Sequence, residues 1–228
     1  MNRHDALAVL TASCEPLEIV EANIYGNNCR TFKNAPVSLR DLYQTTLSDE
    51  TFVVFDHERY SFNECWTMAS AIGRALVEQF AIQKGDRVAI CMRNFPEWII
   101  AFQSITSIGA IAVAMNSLWQ AEEIDYGLRD SGCKLLIADQ ERMDLISQAE
   151  ISLSCDSLLC RGSQNDTLPR WESMLEKFSG SAMPAAAISP VDDAIILYTS
   201  GSTGHPKGVV SSHLAIVSAL LSFELDAM

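Results

Sequence analysis

The chain has 228 residues, of which 48% are apolar and 20% are charged, so it can fold around a substantial core. This composition excludes an intrinsically disordered chain. The formal net charge of −13 argues against a nucleic-acid-binding protein, which needs a basic surface. It does not argue against a small anionic ligand, because one lysine and a few backbone N–H groups can reverse the local field.

The seven cysteines indicate neither a disulfide framework nor a zinc site, because their number is odd and no C-x-x-C pair occurs. We interpret most of them as small core residues in a reducing compartment and expect a cytoplasmic location. The short apolar run after Arg3 and Asp5 resembles a signal peptide only weakly. Residues 98–121 lack charge, but polar side chains and Gly109 interrupt them, so a buried helix, a glycine stop and a buried strand fit better than a transmembrane span.

The first 50 residues give little signal, and a clear pattern begins at residue 51. Residues 51–56 and 59–62 predict two short strands, because they are rich in β-branched and aromatic side chains. Ser61 and Glu64 match the S-x-x-E capping box and predict the start of a helix. The apolar stripe of that helix comprises Cys65, Ala69, Ile72, Leu76 and Phe80.

Strand and helix patterns then alternate. The predicted strands are 87–92, 110–115 and 134–138, and the predicted helices begin near Pro96 or span 121–132 and 141–149. This alternation predicts an α/β fold with mostly parallel strands. The continuous apolar strands predict a sheet that is covered on both faces.

After Ser157 the pattern loosens. Residues 161–170 predict a loop, residues 171–178 a short helix, and residues 179–192 a linker rich in Ala, Ser and Pro. A strand, a polar loop and a second strand follow, and an apolar helix is predicted from His213 onward.

The loop TSGSTGHPKG, residues 199–208, has the composition of a phosphate-binding loop. Its glycines allow a close backbone approach, and successive N–H groups in such a loop form an anion nest. Its hydroxyl groups can donate to phosphate oxygens, and Lys207 adds a mobile positive charge. It is not a Walker A loop, because Lys207 follows Pro206 and precedes Gly208. From composition alone, a flexible Ser/Gly turn is the alternative.

The ordered string YTSGSTGHPKGV resembles the signature phosphate loop of the adenylate-forming superfamily, which includes acyl-CoA synthetases, aryl-CoA ligases, luciferases and peptide adenylation domains. The segments that begin YSFNECW, KGDRVAI and EEIDYGL resemble successive blocks of the family's N-terminal domain. The resemblance implies that residues 51–228 form the layered parallel-sheet-and-helix N-terminal domain of these enzymes, incomplete here. Asn116 and Ser117 replace the Asp-Pro pair of peptide adenylation domains, which favours an acyl-CoA synthetase.

The resemblance implies an ATP-dependent acid–thiol ligase. A carboxylic acid, fatty or otherwise acyl, would be activated as acyl-AMP and transferred to coenzyme A, with Mg²⁺ bridging the phosphates. The family's nucleotide-binding positions carry over to Thr199, Ser200, Gly201, Ser202, Thr203, Gly204 and Lys207. The resemblance implies no protein ligand for the metal and no complete catalytic set in this chain. His213 matches a histidine that often follows this strand in the family, and it is a candidate for a substrate-side role or for a capping role.

Other residues have mainly structural interpretations. Trp119 is a candidate for lining an acyl pocket, but an aromatic residue at a strand end is more often part of the core. Glu122 and Glu123 are interpreted as a solvated helix face that favours a helix N-terminus. His205 falls at a variable position of the family's loop, so we expect it to face solvent.

The family's later motifs, its hinge and its C-terminal domain do not occur in these 228 residues. We therefore expect an N-terminal fragment that is inactive alone and whose open strand edges favour self-association. The alternatives are a fragment of an aryl-acid or other adenylate-forming ligase, and a short non-catalytic nucleotide-binding protein. We expect no nucleic-acid partner and no transmembrane segment. Peripheral membrane contact stays open, because fatty acids partition into bilayers, and so do acyl chain length and oligomeric state.

Overall fold

The computed structural model describes residues 2–163, 167–199 and 206–227. The helices are α1 Arg3–Leu10, α2 Leu39–Thr45, α3 Phe62–Glu78, α4 Pro96–Ser107, α5 Ala121–Ser131, α6 Gln140–Gln148, α7 Trp171–Lys177 and α8 His213–Ala227. The strands are β1 Ile19–Ile24, β2 Asn27–Phe32, β3 Thr51–Phe55, β4 Glu58–Ser61, β5 Arg87–Cys91, β6 Ile111–Ala114, β7 Leu135–Asp139, β8 Asp156–Cys160, β9 Asp193–Thr199 and β10 Lys207–Ser212.

A six-stranded sheet with the order β10-β9-β6-β5-β7-β8 forms the centre of the fold. The strands from β9 to β8 are parallel, and β10 pairs antiparallel with β9. Val88 of β5 pairs with Ala112 on one side and with Leu135 on the other. Parallel strands need crossover connections, and α4, α5, α6 and α7 lie within the successive crossovers. The predicted α/β fold with mostly parallel strands is confirmed.

Helices cover both faces of this sheet, and each face has its own apolar core. On one face α3, α4 and α7 contribute buried residues that include Ile72, Ile105 and Trp171. On the other face α5 and α6 contribute Ile124 and Ile146. Because both faces are covered, β7 is buried along its whole length and β5 at all but its first residue, and their buried residues form continuous apolar runs, Leu135–Ala138 and Val88–Cys91, rather than alternating ones.

Helix α3 begins where the capping box predicted it. The Ser61 hydroxyl accepts the backbone N–H of Glu64 at 3.1 Å, and the Glu64 carboxylate accepts the backbone N–H of Ser61 at 2.7 Å. The predicted stripe is buried from Cys65 to Leu76, whereas Phe80 lies after the last helical residue. Two reciprocal bonds to otherwise unpaired donors therefore fix the helix start.

Strand β8 and the elements before residue 50 are not predicted by the sequence pattern. Strand β8 is buried at Leu158 and Leu159, yet it is short and follows a stretch of mixed character. Its pairing with β7 from Leu135 to Asp139 is what makes it a strand. In the first 50 residues the structure contains α1, the β1–β2 hairpin and α2, whose sparse apolar residues form no clear period.

The predicted linker, residues 179–192, has no regular helix or strand but is held along its length by side chains of other elements. Arg74 donates to the carbonyl oxygen of residue 182 at 3.0 Å, and Arg40 donates to that of residue 184 at 2.7 Å. Lys84 donates to the carbonyl oxygen of residue 187 and pairs with Asp192, both at 2.7 Å. We call residues 179–192 the strap, because these contacts tie the segment to other elements before it enters β9.

The uncharged stretch 98–121 divides into most of α4, a glycine turn and β6, as predicted. Gly109 has a φ of 75°, and a Cβ there would lie 3.2 Å from the Lys84 side chain. A glycine therefore suits this turn. In the three described ranges, no helix is long and apolar enough to cross a bilayer.

Strand β10 forms an open edge of the sheet. Among the described residues its only strand neighbour is β9, and Val209 and Val210 are 48% and 52% exposed. Nearby α8 exposes Leu220 and Phe223. An exposed apolar edge offers unpaired backbone N–H and C=O groups to a second strand.

We expect the chain to self-associate through β10, and Val210→Lys to shift it toward monomer, because a charge on an edge strand opposes pairing. Sedimentation velocity over a concentration series measures this shift. Val54→Lys introduces the same charge at an exposed valine of β3 and should leave association unchanged. A monomeric unsubstituted chain at every concentration would contradict the expectation.

Candidate functional site

Strands β9 and β10 form a hairpin, and the predicted loop connects them. Thr199 pairs with Lys207, so these two residues stand opposite each other where the loop begins and ends. The Thr199 hydroxyl donates to the Lys207 carbonyl oxygen at 3.4 Å, which is long for a hydrogen bond. Outside the described residues lie Ser200, Gly201, Ser202, Thr203, Gly204 and His205.

The hairpin loop stands at the carboxyl edge of the parallel sheet. Strand β9 pairs in parallel with β6, with Ala112 opposite Ile195 and Ala114 opposite Leu197. The loop after β9 therefore shares an edge with the segments that follow β5, β6 and β7. In open α/β sheets, ligands bind in the crevice outside the carboxyl ends of the strands.

The local charge at this edge suits an anion. Thr199 and Lys207 are both exposed, so a hydroxyl and an ammonium can reach a ligand. The net charge of −13 does not oppose this, because the field close to a lysine depends mainly on the nearest charges and dipoles. The paired backbone holds the Cα atom of Lys207, while its four-carbon stem leaves the ammonium free to follow a phosphate group.

A buried ion pair joins three strand ends at the same edge. Asp139, the last residue of β7, accepts from the Arg142 guanidinium at 3.0 Å, and the two side chains are 5% and 2% exposed. Asp139 also accepts the backbone N–H of Arg93, which follows β5, at 2.9 Å. Arg142 donates to the carbonyl oxygen of Ser117, which follows β6, at 3.0 Å. We call Asp139 and Arg142 the brace, because the pair connects the ends of these three strands. The hydrogen bonds also compensate the cost of burying the two charges.

Helix α5 contacts both strands of the hairpin. The Tyr126 hydroxyl donates to the carbonyl oxygen of Pro206, the residue before Lys207, at 3.3 Å. The Tyr198 hydroxyl, on β9, donates to the Asp130 carboxylate at 2.7 Å. Burial, together with that carboxylate, raises the pKa of Tyr198 well above its usual range, so this hydroxyl stays a neutral donor. The sequence pattern predicts neither contact, and the only local signal is the one-turn spacing of Tyr126 and Asp130.

Trp119 lies in the core between α5 and β9. It is 7% exposed, and its ring meets that of Tyr198 edge-on with centroids 5.4 Å apart. Gly127 gives this ring room, because a Cβ there would lie 2.8 Å from Trp119. Glu122 and Glu123 are exposed at the start of α5, and Glu123 accepts the backbone N–H before the helix at 2.9 Å. The core interpretation of Trp119 and the helix-end interpretation of the glutamates are confirmed.

His213 lies at the other end of β10 from Lys207. Because a strand rises about 3.3 Å per residue, the two residues are roughly 20 Å apart. The His213 side chain is fully buried, and its Nδ1 accepts the backbone N–H of Leu39 at 3.2 Å. Among the described residues its Nε2 has no hydrogen-bond partner. The structure thus gives His213 a capping contact with the start of α2, and the substrate-side role stays a prediction.

Comparison with known proteins identifies the family. The chain belongs to the AMP-binding enzyme family, whose model matches residues 42–227. A long-chain-fatty-acid–CoA ligase of Mycobacterium tuberculosis is 33% identical over 166 residues, which are 71% of this chain and 30% of that protein. The 4-coumarate–CoA ligase 2 of Oryza sativa subsp. japonica is 30% identical over 174 residues, again 71% of this chain and 30% of that protein.

The fold matches that of solved ligase structures. The crystal structure of an anthranilate CoA ligase in complex with anthranoyl-AMP has a TM-score of 0.70 at 24% identity, covering 77% of this chain and 35% of that chain. At this identity the similarity shows the fold alone. The present chain spans about a third of the length of the curated relatives named above.

Acid should weaken the fold through His213. Burial lowers the pKa of His213 from its usual 6.5, although Asp192 and Asp41 nearby oppose the shift. At pH values between the folded and the unfolded pKa of His213, the unfolded chain therefore binds more protons than the folded chain. The stability that the neutral imidazole contributes is present above about pH 6.5 and is lost as the pH falls toward the folded pKa.

Urea unfolding measured from about pH 7.5 to about pH 5.5 tests this dependence. His213→Asn should flatten the slope, because an amide oxygen can still accept the Leu39 N–H but does not titrate. His57→Asn is the control, since that histidine is 97% exposed, and it should keep the slope. An unchanged slope in His213→Asn would assign the acid sensitivity to other groups.

Proposed function

We propose that this chain forms the phosphate-binding part of an ATP-dependent acid–CoA ligase. The observation that carries the proposal is the hairpin that sets Lys207 opposite Thr199 at the carboxyl edge of the parallel sheet. Two curated relatives, both CoA ligases by name, support it.

The proposed reaction has two steps. A carboxylate oxygen attacks the α-phosphorus of ATP, so an acyl-adenylate forms and pyrophosphate leaves. The thiol of coenzyme A then attacks the acyl carbonyl carbon, so a thioester forms and AMP leaves. Such chemistry depends mostly on positioning and on stabilising charge.

The role of the loop in the first step follows from its chemistry. The loop binds the β- and γ-phosphates, so that charge on the leaving pyrophosphate meets an ammonium, hydroxyl groups and backbone N–H groups. Lys207 supplies the ammonium. The proposed phosphate-binding residues are Thr199, Ser200, Gly201, Ser202, Thr203, Gly204 and Lys207.

Magnesium would arrive with the nucleotide. Within the described part of the chain, no group of three or more His, Cys, Asp or Glu side chains could hold a metal ion. Mg²⁺ is commonly bound by substrate phosphates and water with only one or two protein carboxylates, so the nucleotide would supply most of its ligands. When bound, the ion would neutralise phosphate charge, and the Lys207 ammonium would add a positive charge to the same phosphates.

A fatty or other acyl acid is the proposed substrate class. The 33% identical relative is a long-chain-fatty-acid ligase by name. Asn116 and Ser117, in place of an Asp-Pro pair, follow β6, and the Asn116 side chain accepts the Leu118 N–H at 2.9 Å in a local turn. An aryl acid is the second candidate, because the 30% identical relative is a 4-coumarate ligase by name.

We further infer that residues 51–228 belong to one AMP-binding domain whose strap, residues 179–192, leads into the hairpin. The partner would be a small carboxylic acid rather than a nucleic acid, given a net charge of −13. A cytoplasmic location is part of the proposal, because the scattered cysteines suit a reducing compartment.

Lys207→Ala should weaken ATP binding to the native protein that carries this sequence by about 10- to 100-fold, because it removes a charge-assisted hydrogen bond. Titration calorimetry with Mg–ATP measures the change. Lys177→Ala removes the same charge from an exposed site on α7 and should leave the affinity unchanged. Equal affinities in Lys207→Ala and the unsubstituted chain would overturn the loop assignment.

The native protein that carries this sequence should form AMP only when ATP, coenzyme A and a suitable acid are all present. A panel of saturated fatty acids and cinnamic or benzoic acids, assayed for AMP release, separates the two substrate classes. Nucleotide binding without AMP release on any acid would favour a non-catalytic nucleotide-binding protein instead.

A further inference from the structure

Helix α5 contacts the hairpin next to Thr199 and next to Lys207, the two paired residues that flank the loop. Tyr126 binds the carbonyl oxygen of Pro206 at 3.3 Å, directly before Lys207. Tyr198, directly before Thr199, binds the Asp130 carboxylate at 2.7 Å. We call these two contacts the α5 clamp. The two α5 residues of the clamp are four positions apart, so they lie one turn apart on the same helix face.

The helix that carries the clamp is itself firmly held. Ile124 and Leu128, two residues of α5, are fully buried in the core. At the far end of the helix, Arg87, the first residue of β5, donates to the carbonyl oxygens of Ser131 at 2.9 Å and Gly132 at 2.8 Å. Arg87 also satisfies carbonyl groups that a helix end leaves without intrahelical partners. The position of α5 is therefore set by the central sheet, and α5 can serve as a fixed support for the hairpin.

The hairpin needs such a support, because β10 is paired only on one side among the described residues. An edge strand with exposed valines has little packing of its own to hold Lys207 in place. Pro206 has no backbone N–H, so its carbonyl oxygen is the only backbone hydrogen-bonding group it offers. The Tyr126 hydroxyl uses that group. A catalytic or binding group that shifts by about 1 Å can lose much of its effect.

We propose that Tyr126 is a positioning residue that acts through Lys207: by holding Pro206 against α5, it keeps the ammonium where it meets nucleotide phosphates. This inference rests on the proposed function. Tyr198 and Asp130 anchor the opposite strand, so the mouth of the loop is held from both sides. The ligand class is a nucleoside triphosphate.

Tyr126→Phe removes only the hydroxyl group and keeps the ring. It should raise the dissociation constant of Mg–ATP by about 3- to 10-fold, the effect of one lost hydrogen bond. Hydrogen–deuterium exchange without nucleotide should become faster in the peptides that contain Lys207 and stay unchanged in those that contain β5 and β7. A merely structural role would instead change exchange throughout the sheet.

The matched control is Tyr43→Phe, which removes a hydroxyl contact of the same length, 3.3 Å to Thr106, between α2 and α4 rather than beside Lys207. It should leave ATP affinity and hairpin exchange unchanged. A double-mutant cycle then tests the route of the effect. In the Lys207→Ala background, Tyr126→Phe should cause no further loss of affinity, because the group through which it acts is gone.

The outcomes separate the two proposals. If Lys207→Ala does not weaken ATP binding, the proposed function fails, and the positioning role fails with it. If Lys207→Ala weakens binding but Tyr126→Phe does not, or if the two losses are additive, the function stands and the positioning role is overturned. A local increase in exchange, together with a non-additive loss of affinity, supports the positioning role.

Discussion

The hydrogen-bond register between β6 and β9 is the constraint on which the candidate site depends. This pairing places the end of β9, and the loop that follows it, at the carboxyl edge of the sheet. Because side chains alternate along a strand, a slip of one residue would turn Ile196 and Tyr198 away from the face that α5 covers. Trp119 and Asp130 would then lose their partner on β9. The loop position and the α5 clamp therefore follow from the same pairing.

Three separate devices hold that register and its surroundings. The strap, residues 179–192, brings the chain into β9 under the control of Arg40, Arg74 and Lys84. The brace formed by Asp139 and Arg142 joins the segments that follow β5, β6 and β7. Helix α5 contacts the hairpin from one face of the sheet. A ligand-binding loop on rigid neighbours keeps its geometry although the loop has few contacts of its own.

The N-terminal segment takes part in this arrangement through His213. Its imidazole, at the start of α8, caps the start of α2, so the segment before residue 50 is tied to the end of the hairpin strand. Leu39 and Val217 are buried in the small core that α2 and α8 share. The fully buried imidazole must stay neutral to accept the backbone N–H. The same contact that joins two distant parts of the chain thus makes their junction sensitive to acid.

The sequence by itself determined the features that depend on neighbours along the chain. The capping box at Ser61 and Glu64, the apolar strands and the alternation of strand with helix are local patterns, and the structure contains them. Tertiary structure decided the rest. Tyr126 meets Pro206 across 80 positions, and His213 meets the start of α2 across 174, and no local period encodes such partners. Strand β8 exists because β7 offers it an edge. The loop residues 200–204 stay a prediction from sequence, whereas the support around them is a property of the folded sheet.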